Sequence, residues 1–213
     1  MKVTDKIKIT NEDNMELMSR YPDNYFDLAI VDPPYGYGDK KTDILNFRQK
    51  EQHREWNVAP DNAYFIELFR VSKNQIIWGG NYFSFIWTFG GRCFVYWHKG
   101  NPVSNFADGE LAWTSFDENA KQFNYRYYGN LQGSKKTDKK FHPTQKPVEL
   151  YEWLIMNYAK EGNKILDTHL GSGSIAIACH NLGFELTACE LDQDYYKASI
   201  KRIQNHIAQQ RLF

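Results

Sequence analysis

An excess of charge of either sign is missing from these 213 residues: 26 Lys and Arg stand against 26 Asp and Glu. No global positive field draws the chain onto a polyanion, so any nucleic-acid contact has to come from local patches. Missing too is an apolar run approaching the roughly 20 residues that span a bilayer, and Met1-Lys2-Val3-Thr4-Asp5-Lys6 carries no apolar signal region. The expectation is a cytoplasmic protein without a membrane partner. Cysteine is scarce: Cys93, Cys179 and Cys189 are far apart and outside any metal-ligand spacing, which predicts buried, reduced thiols and no metal. Internal repeats and long low-complexity stretches are absent, which excludes a solenoid or a fibrous protein.

What is present is an alternation of strand and helix patterns in a chain long enough for one full core and short for two. Lys6 to Thr10 reads as a short strand and Met15 to Tyr21 as a helix, and Phe26 to Val31 is an apolar run of buried-strand type cut off by Pro33-Pro34. Residues 61–73 have helical spacing, and Gln75 to Trp78, Arg92 to Trp97 and Leu111 to Ser115 read as further strands. After Pro147 come a helix (Val148 to Tyr158), the strand Lys164 to Asp167, a helix from Ser174 to Leu182, the strand Phe184 to Cys189 and a last helix from Gln193 to about Gln209. This succession predicts an α/β domain with a parallel, doubly wound sheet. Two segments, 36–60 and 117–143, carry charge and amides without a buried pattern and read as surface loops of a single domain, the first inside an acceptor half (1–116) and the second leading into a second half (142–213).

In Asp167-Thr168-His169-Leu170-Gly171-Ser172-Gly173-Ser174 a buried strand delivers a carboxylate, and two glycines then let the backbone turn at a helix N-terminus where a ligand can approach the main chain. Seventeen residues beyond Gly173 stands Glu190, at the end of the next strand, where a carboxylate can accept the hydroxyl hydrogens of a ribose. The pattern is that of an adenosine-type cofactor site, and by itself it does not separate S-adenosylmethionine from NAD.

The separation comes from Asp32-Pro33-Pro34-Tyr35-Gly36. Two prolines restrict φ and remove two donors, so the Asp32 carboxylate and the Pro33 carbonyl become a rigid pair of acceptors suited to an NH₂ group. Tyr35 adds an aromatic face for a planar base. This loop, ahead of the glycine motif in the chain, resembles the amino-methyltransferases of DNA, and the motif order is similar to their circularly permuted β class of bacterial and phage enzymes. His142-Pro143-Thr144-Gln145-Lys146-Pro147 before a helix is similar to a third motif of that class, which contacts the methionine end of the cofactor.

The resemblance implies a Rossmann-like fold, a mixed, mostly parallel sheet with helices on both faces, and methyl transfer from S-adenosylmethionine to adenine N6 in double-stranded DNA with base flipping. Cytosine N4 or an RNA amine is the alternative. It implies Asp32, Pro33, Pro34 and Tyr35 as catalytic residues. For the cofactor it implies Asp13, Asp32, His142, Thr144, Lys146, Asp167, His169, Gly171, Ser172, Gly173, Ser174 and Glu190, with Asp13 and Trp78-Gly79-Gly80-Asn81 as weaker family positions. His169 stands where the class often has Phe and is expected to take over its packing. No insertion reads as a target-recognition domain, so DNA contacts fall to Arg54, Arg126, Lys135, Lys136, Lys139 and Lys140 in the two loops. Tyr125-Arg126-Tyr127-Tyr128 either stacks at the flipped base or packs as an edge strand. A homodimer and a cognate restriction endonuclease are partners the resemblance admits.

Overall fold

The computed structural model describes residues 2–36, 58–100, 107–128, 131–132, 142 and 144–210. An eight-stranded sheet holds β1 (Ile7–Asn11), β2 (Leu28–Val31), β3 (Gln75–Trp78), β4 (Phe94–His98), β5 (Gly109–Thr114), β6 (Lys121–Asn124), β9 (Lys164–Asp167) and β10 (Glu185–Glu190) in the order β1-β10-β9-β2-β3-β5-β4-β6. The first five strands of that order run parallel. β5 is antiparallel to both β3 and β4, and β6 lies parallel to β4 at the edge. The sheet is thus the mixed, mostly parallel one that the resemblance implied, with its antiparallel pairings all made by β5.

Five helices accompany the sheet among the described residues: α1 (Asn14–Ser19), α2 (Asn62–Val71), α3 (Val148–Tyr158), α4 (Ser174–Leu182) and α5 (Gln193–Gln210). β2 and β3 are buried along their whole length, as strands covered on both faces must be. Alternate residues go to opposite cores. Leu28, Ile30, Ile76, Trp78 and Ile165 join Leu150, Leu154, Ile175, Ile177 and Ile203 of α3, α4 and α5, whereas Ala29, Val31, Ile77 and Leu166 join Leu17, Met18, Tyr64, Phe65 and Leu68 of α1 and α2. The two helical layers thus cover opposite faces of the sheet.

Part of the segment read as a loop is ordered. β6 pairs with β4, and β7 (Tyr127–Tyr128) pairs with β8 (Leu131–Gln132) as a small hairpin. β6 alternates half-buried and exposed positions in the polar sequence Lys-Gln-Phe-Asn, so no apolar run marks it. Its Phe123 packs on Trp153, with rings 5.4 Å apart. Two short 3-10 helices, Gly80–Tyr82 and Ser84–Phe89, follow β3, where the sequence pattern indicated no element. The three cysteines are buried and unpaired, as expected.

Candidate active site

Chain direction reverses at the centre of the parallel block. From β9 the chain passes through α4 to β10 on one side, and from β2 it reaches β3 on the other, while β2 and β9 pair directly (Leu28 with Ile165, Ala29 with Leu166). Loops leaving the carboxyl ends at such a switch point diverge and open a crevice. Asp32 follows β2, Asp167 ends β9, Glu190 ends β10 and Asp13 follows β1, so the predicted carboxylates line one edge of the sheet.

At β9 the chain turns through Gly171 (φ 52°) and Gly173 (φ 77°), both left-handed conformations that glycine adopts without strain. Glu190 Oε2 accepts the Gly171 N–H at 2.8 Å and Oε1 accepts the Asp192 N–H at 2.9 Å. The carboxylate is thereby aimed along the turn, with a lone pair left on each oxygen. Ser174 Oγ donates to the Lys146 carbonyl at 2.7 Å, and Arg202 of α5 donates to the Ser172 carbonyl (2.8 Å) and to Ser174 Oγ (3.0 Å). The Ser172 and Ser174 hydroxyls lie 3.1 Å apart. His142 is buried beside this turn, its ring edge-on to Tyr195 at 4.3 Å and its Nδ1 accepting the Thr144 N–H at 3.3 Å.

Asp167 is 2% exposed and accepts the His169 N–H at 2.9 Å. Burial, added to the negative charges of Asp32 and Glu190, pushes its carboxyl up to about 8. A carboxyl held protonated by burial and by its negative neighbours would ionise beside a ligand that brings positive charge, as S-adenosylmethionine does. His169 does take a packing position: its ring meets Tyr64 edge-on at 5.3 Å, Nδ1 lies 3.0 Å from Thr168 Oγ1, and Nε2 lies 3.2 Å from Asn14 Nδ2. Burial holds it down at about 4, so it is neutral at physiological pH. Asp13 caps α1 through the N–H groups of Met15 (2.7 Å) and Glu16 (3.3 Å).

At the acceptor loop Tyr35 Oη donates to Asp32 Oδ1 at 2.7 Å, and Lys146 Nζ forms an ion pair with Asp32 Oδ2. Both carboxylate oxygens are fixed, one from each side. The Tyr35 ring stacks on Tyr82 with centroids 5.0 Å apart. Gly79, itself left-handed at φ 67°, lies so close that a Cβ there would sit 2.1 Å from Tyr35 Cε1. Of the weaker Trp78-Gly79-Gly80-Asn81 positions, Gly79 thus lies directly against the Tyr35 ring.

Lys146 is 3% exposed, and its side chain is directed to the acceptor carboxylate, whereas the sequence reading directed it to the cofactor. Its carbonyl meets the glycine turn by accepting from Ser174 Oγ. Three residues the sequence reading missed complete the site: Tyr82, Arg202 and Glu110, whose Oε2 lies 3.1 Å from Lys146 Nζ. Of the Tyr125 to Tyr128 alternatives, packing holds for two. Tyr127 is 5% exposed with Gln145 donating to its hydroxyl at 3.0 Å, and Tyr125 stacks on Phe123. Arg126 is exposed, while Arg54, Lys135, Lys136, Lys139 and Lys140 lie outside the described residues.

A family model described as DNA methylase matches residues 61–201. The chain is 25% identical over 232 residues to the type II methyltransferase M.HpaI of Haemophilus parainfluenzae, covering 89% of this chain and 71% of that protein. Its fold is similar to the crystal structure of the M1.HpyAVI–SAM complex (TM-score 0.59, 23% identity, 92% of this chain and 99% of that one). It is also similar to the cytosine-N4-specific PvuII DNA methyltransferase (TM-score 0.62, 15% identity, 97% and 94% covered).

Proposed function

The chain belongs to the DNA methylase family, and from that premise we propose that it methylates the exocyclic N6 amine of adenine in double-stranded DNA, as a β-class enzyme whose acceptor motif precedes its cofactor motif. The observation that carries this reading is the Asp32 carboxylate at the sheet's switch point, with one oxygen held by Tyr35 and the other by Lys146. Each oxygen keeps a lone pair, and the Pro33 carbonyl stands beside it as a second acceptor.

S-adenosylmethionine, when bound, supplies an electrophilic methyl group on a cationic sulfur. The acceptor half, residues 1–116, holds the amine, and the cofactor half, residues 142–213, holds the cofactor. Asp32 and the Pro33 carbonyl accept the two amine hydrogens, which favours a pyramidal nitrogen with its lone pair free. Pro34 keeps the loop rigid, and fixed alignment of the reactants supplies much of the rate. Glu190 takes the ribose hydroxyls. Asp13, His142, Thr144, Asp167, His169 and the Gly171 to Ser174 turn complete the pocket, and the Asp167 carboxylate and the backbone N–H groups of the turn orient the charged end. The base leaves the duplex, costing a few kcal/mol of stacking, and is received beside the Tyr35–Tyr82 pair. Arg54, Arg126, Lys135, Lys136, Lys139 and Lys140 hold phosphates. A homodimer, a cytoplasmic location and a cognate restriction endonuclease belong to the same reading, the last supported by the type II relative.

Transfer of labelled methyl groups to unmethylated DNA, followed by nucleoside analysis, tests it. N6-methyladenine is the expected product. N4-methylcytosine would move the target to cytosine, and absence of label from DNA would overturn the activity. Asp32→Ala should lower transfer by about 10³-fold or more, with the cofactor dissociation constant near the parent's.

A further inference from the structure

Four charges of alternating sign run inward from the edge of β4 to the acceptor loop. Lys99, just beyond β4, pairs with Glu110 Oε1, Glu110 Oε2 lies 3.1 Å from Lys146 Nζ, and Lys146 pairs with Asp32. Their side chains are 18%, 24%, 3% and 14% exposed in that order. Water therefore reaches the outer pair more than the inner ammonium. Glu110 thus pairs with a lysine through each of its oxygens, and Lys146 in turn stands between two carboxylates.

A buried ammonium paired with a single carboxylate forms a contact that is costly to disturb. An amine approaching Asp32 finds a lone pair there, but on a carboxylate whose charge that ammonium draws off. With Glu110 on its other side, Lys146 can give up part of its hold on Asp32 and keep a full counter-charge. We propose that Glu110 is a positioning residue for methyl transfer: by sharing the Lys146 ammonium it leaves more of the Asp32 charge to the target amine. This rests on the reading of Asp32 as the amine acceptor.

The groups that face Lys146 are Asp32 and Tyr35 from the acceptor loop, Glu110 from β5 and Asp167 from β9. Lys99 lies beyond Glu110, and Tyr151 of α3 feels Asp32, Asp167 and Glu110. Burial acts against charge on Lys146, but Asp32 and Glu110 outweigh it and keep its affinity for protons above the ordinary value. Removing the charge of Glu110 takes away one of the two carboxylates that raise it. The Lys146 titration should then shift to lower pH.

The experiment compares Glu110→Gln with Lys99→Gln in the full chain, since both break the outer ion pair while only the first removes the second partner of Lys146. Glu110→Gln is expected to lower kcat by about tenfold, with the S-adenosylmethionine dissociation constant within about twofold of the parent's, and to move the Lys146 Nζ titration, followed by ¹⁵N NMR without DNA, to lower pH. Lys99→Gln should stay within about threefold of the parent kcat. Equal losses of kcat and thermal stability in the two variants would reduce Glu110 to a structural ion pair and overturn the proposal. So would an unmoved Lys146 titration or an unchanged kcat in Glu110→Gln. If the parent itself transfers no methyl group to DNA, the functional reading falls, and the NMR titration still decides whether Glu110 governs Lys146.

Discussion

A carboxyl group held at about 8 at the end of β9 bears on stability as well as on ligand binding. Because the folded protein favours the protonated form of Asp167 over its ordinary value of 3.8, that preference stabilises the fold fully below about pH 4 and is lost as pH rises through 8. Asp167→Asn cannot ionise and keeps an oxygen for the His169 N–H. The cofactor-free variant should match the parent near pH 4 and exceed its unfolding free energy at pH 8 by about 1 kcal/mol or more. Denaturant titration at the two pH values checks this, and equal differences at both would show that the charge has no part in it. Asp32, Tyr35 and Asp167 were legible in the sequence because a buried strand ending in prolines or glycines leaves few places for the next side chain. Glu110 was not. In Gly109-Glu110-Leu111 it reads as an ordinary polar residue opening a strand, and only the arrival of Lys146 from ahead of α3 makes it a site residue. Charge pairs between distant segments leave no local period to read.

At the scale of elements, the start of α4 carries the cofactor turn and is pinned from several directions. Ser174 reaches the Lys146 carbonyl, and Arg202 of α5 reaches back to Ser172 and Ser174. A side chain at Gly173 would point at α5: a Cβ there would lie 2.9 Å from Ile203 Cδ1 and 3.3 Å from Ser199 Cβ, at a φ that disfavours any Cβ. Gly173→Val should therefore weaken cofactor binding by displacing α5 and the turn, with a loss of thermal stability even without cofactor, by about 2 kcal/mol or more. Calorimetry with and without ligand checks both parts, and an unchanged melting temperature would rule out displacement of α5. The helices α3, α4 and α5 and the short strand β9 were readable to within a residue or so, since their apolar positions repeat at helical spacing or run unbroken. β6 and the β7–β8 hairpin were not, because an edge strand buries one face lightly and a two-residue strand has no pattern at all.

Across the whole molecule, β2 holds the two cores together, sending Leu28 and Ile30 to one side and Ala29 and Val31 to the other. Ile30 is fully buried, so Ile30→Ala should cost about 2–5 kcal/mol of unfolding free energy. The denaturation midpoint measures it, and a loss below about 0.5 kcal/mol would contradict the packing described. Helices on opposite faces followed from the alternation of segments, but the antiparallel β5 did not, because strand direction is set by a connection through residues whose local pattern says nothing of it.

The pairing of β2 with β9 has a consequence for synthesis. Asp27, just before β2, donates its N–H to the Lys164 carbonyl at 2.9 Å and accepts the Lys164 N–H at 2.9 Å on Oδ2, so that seam is stitched where the two strands begin. On a translating ribosome the acceptor loop emerges long before β9 exists to flank it. Until the seam closes, Asp32 lacks the glycine turn that follows β9. A nascent or truncated chain ending before residue 164 has no β9, glycine turn or β10 to form the other side of the crevice, and methylation competence is a property that the growing chain acquires late.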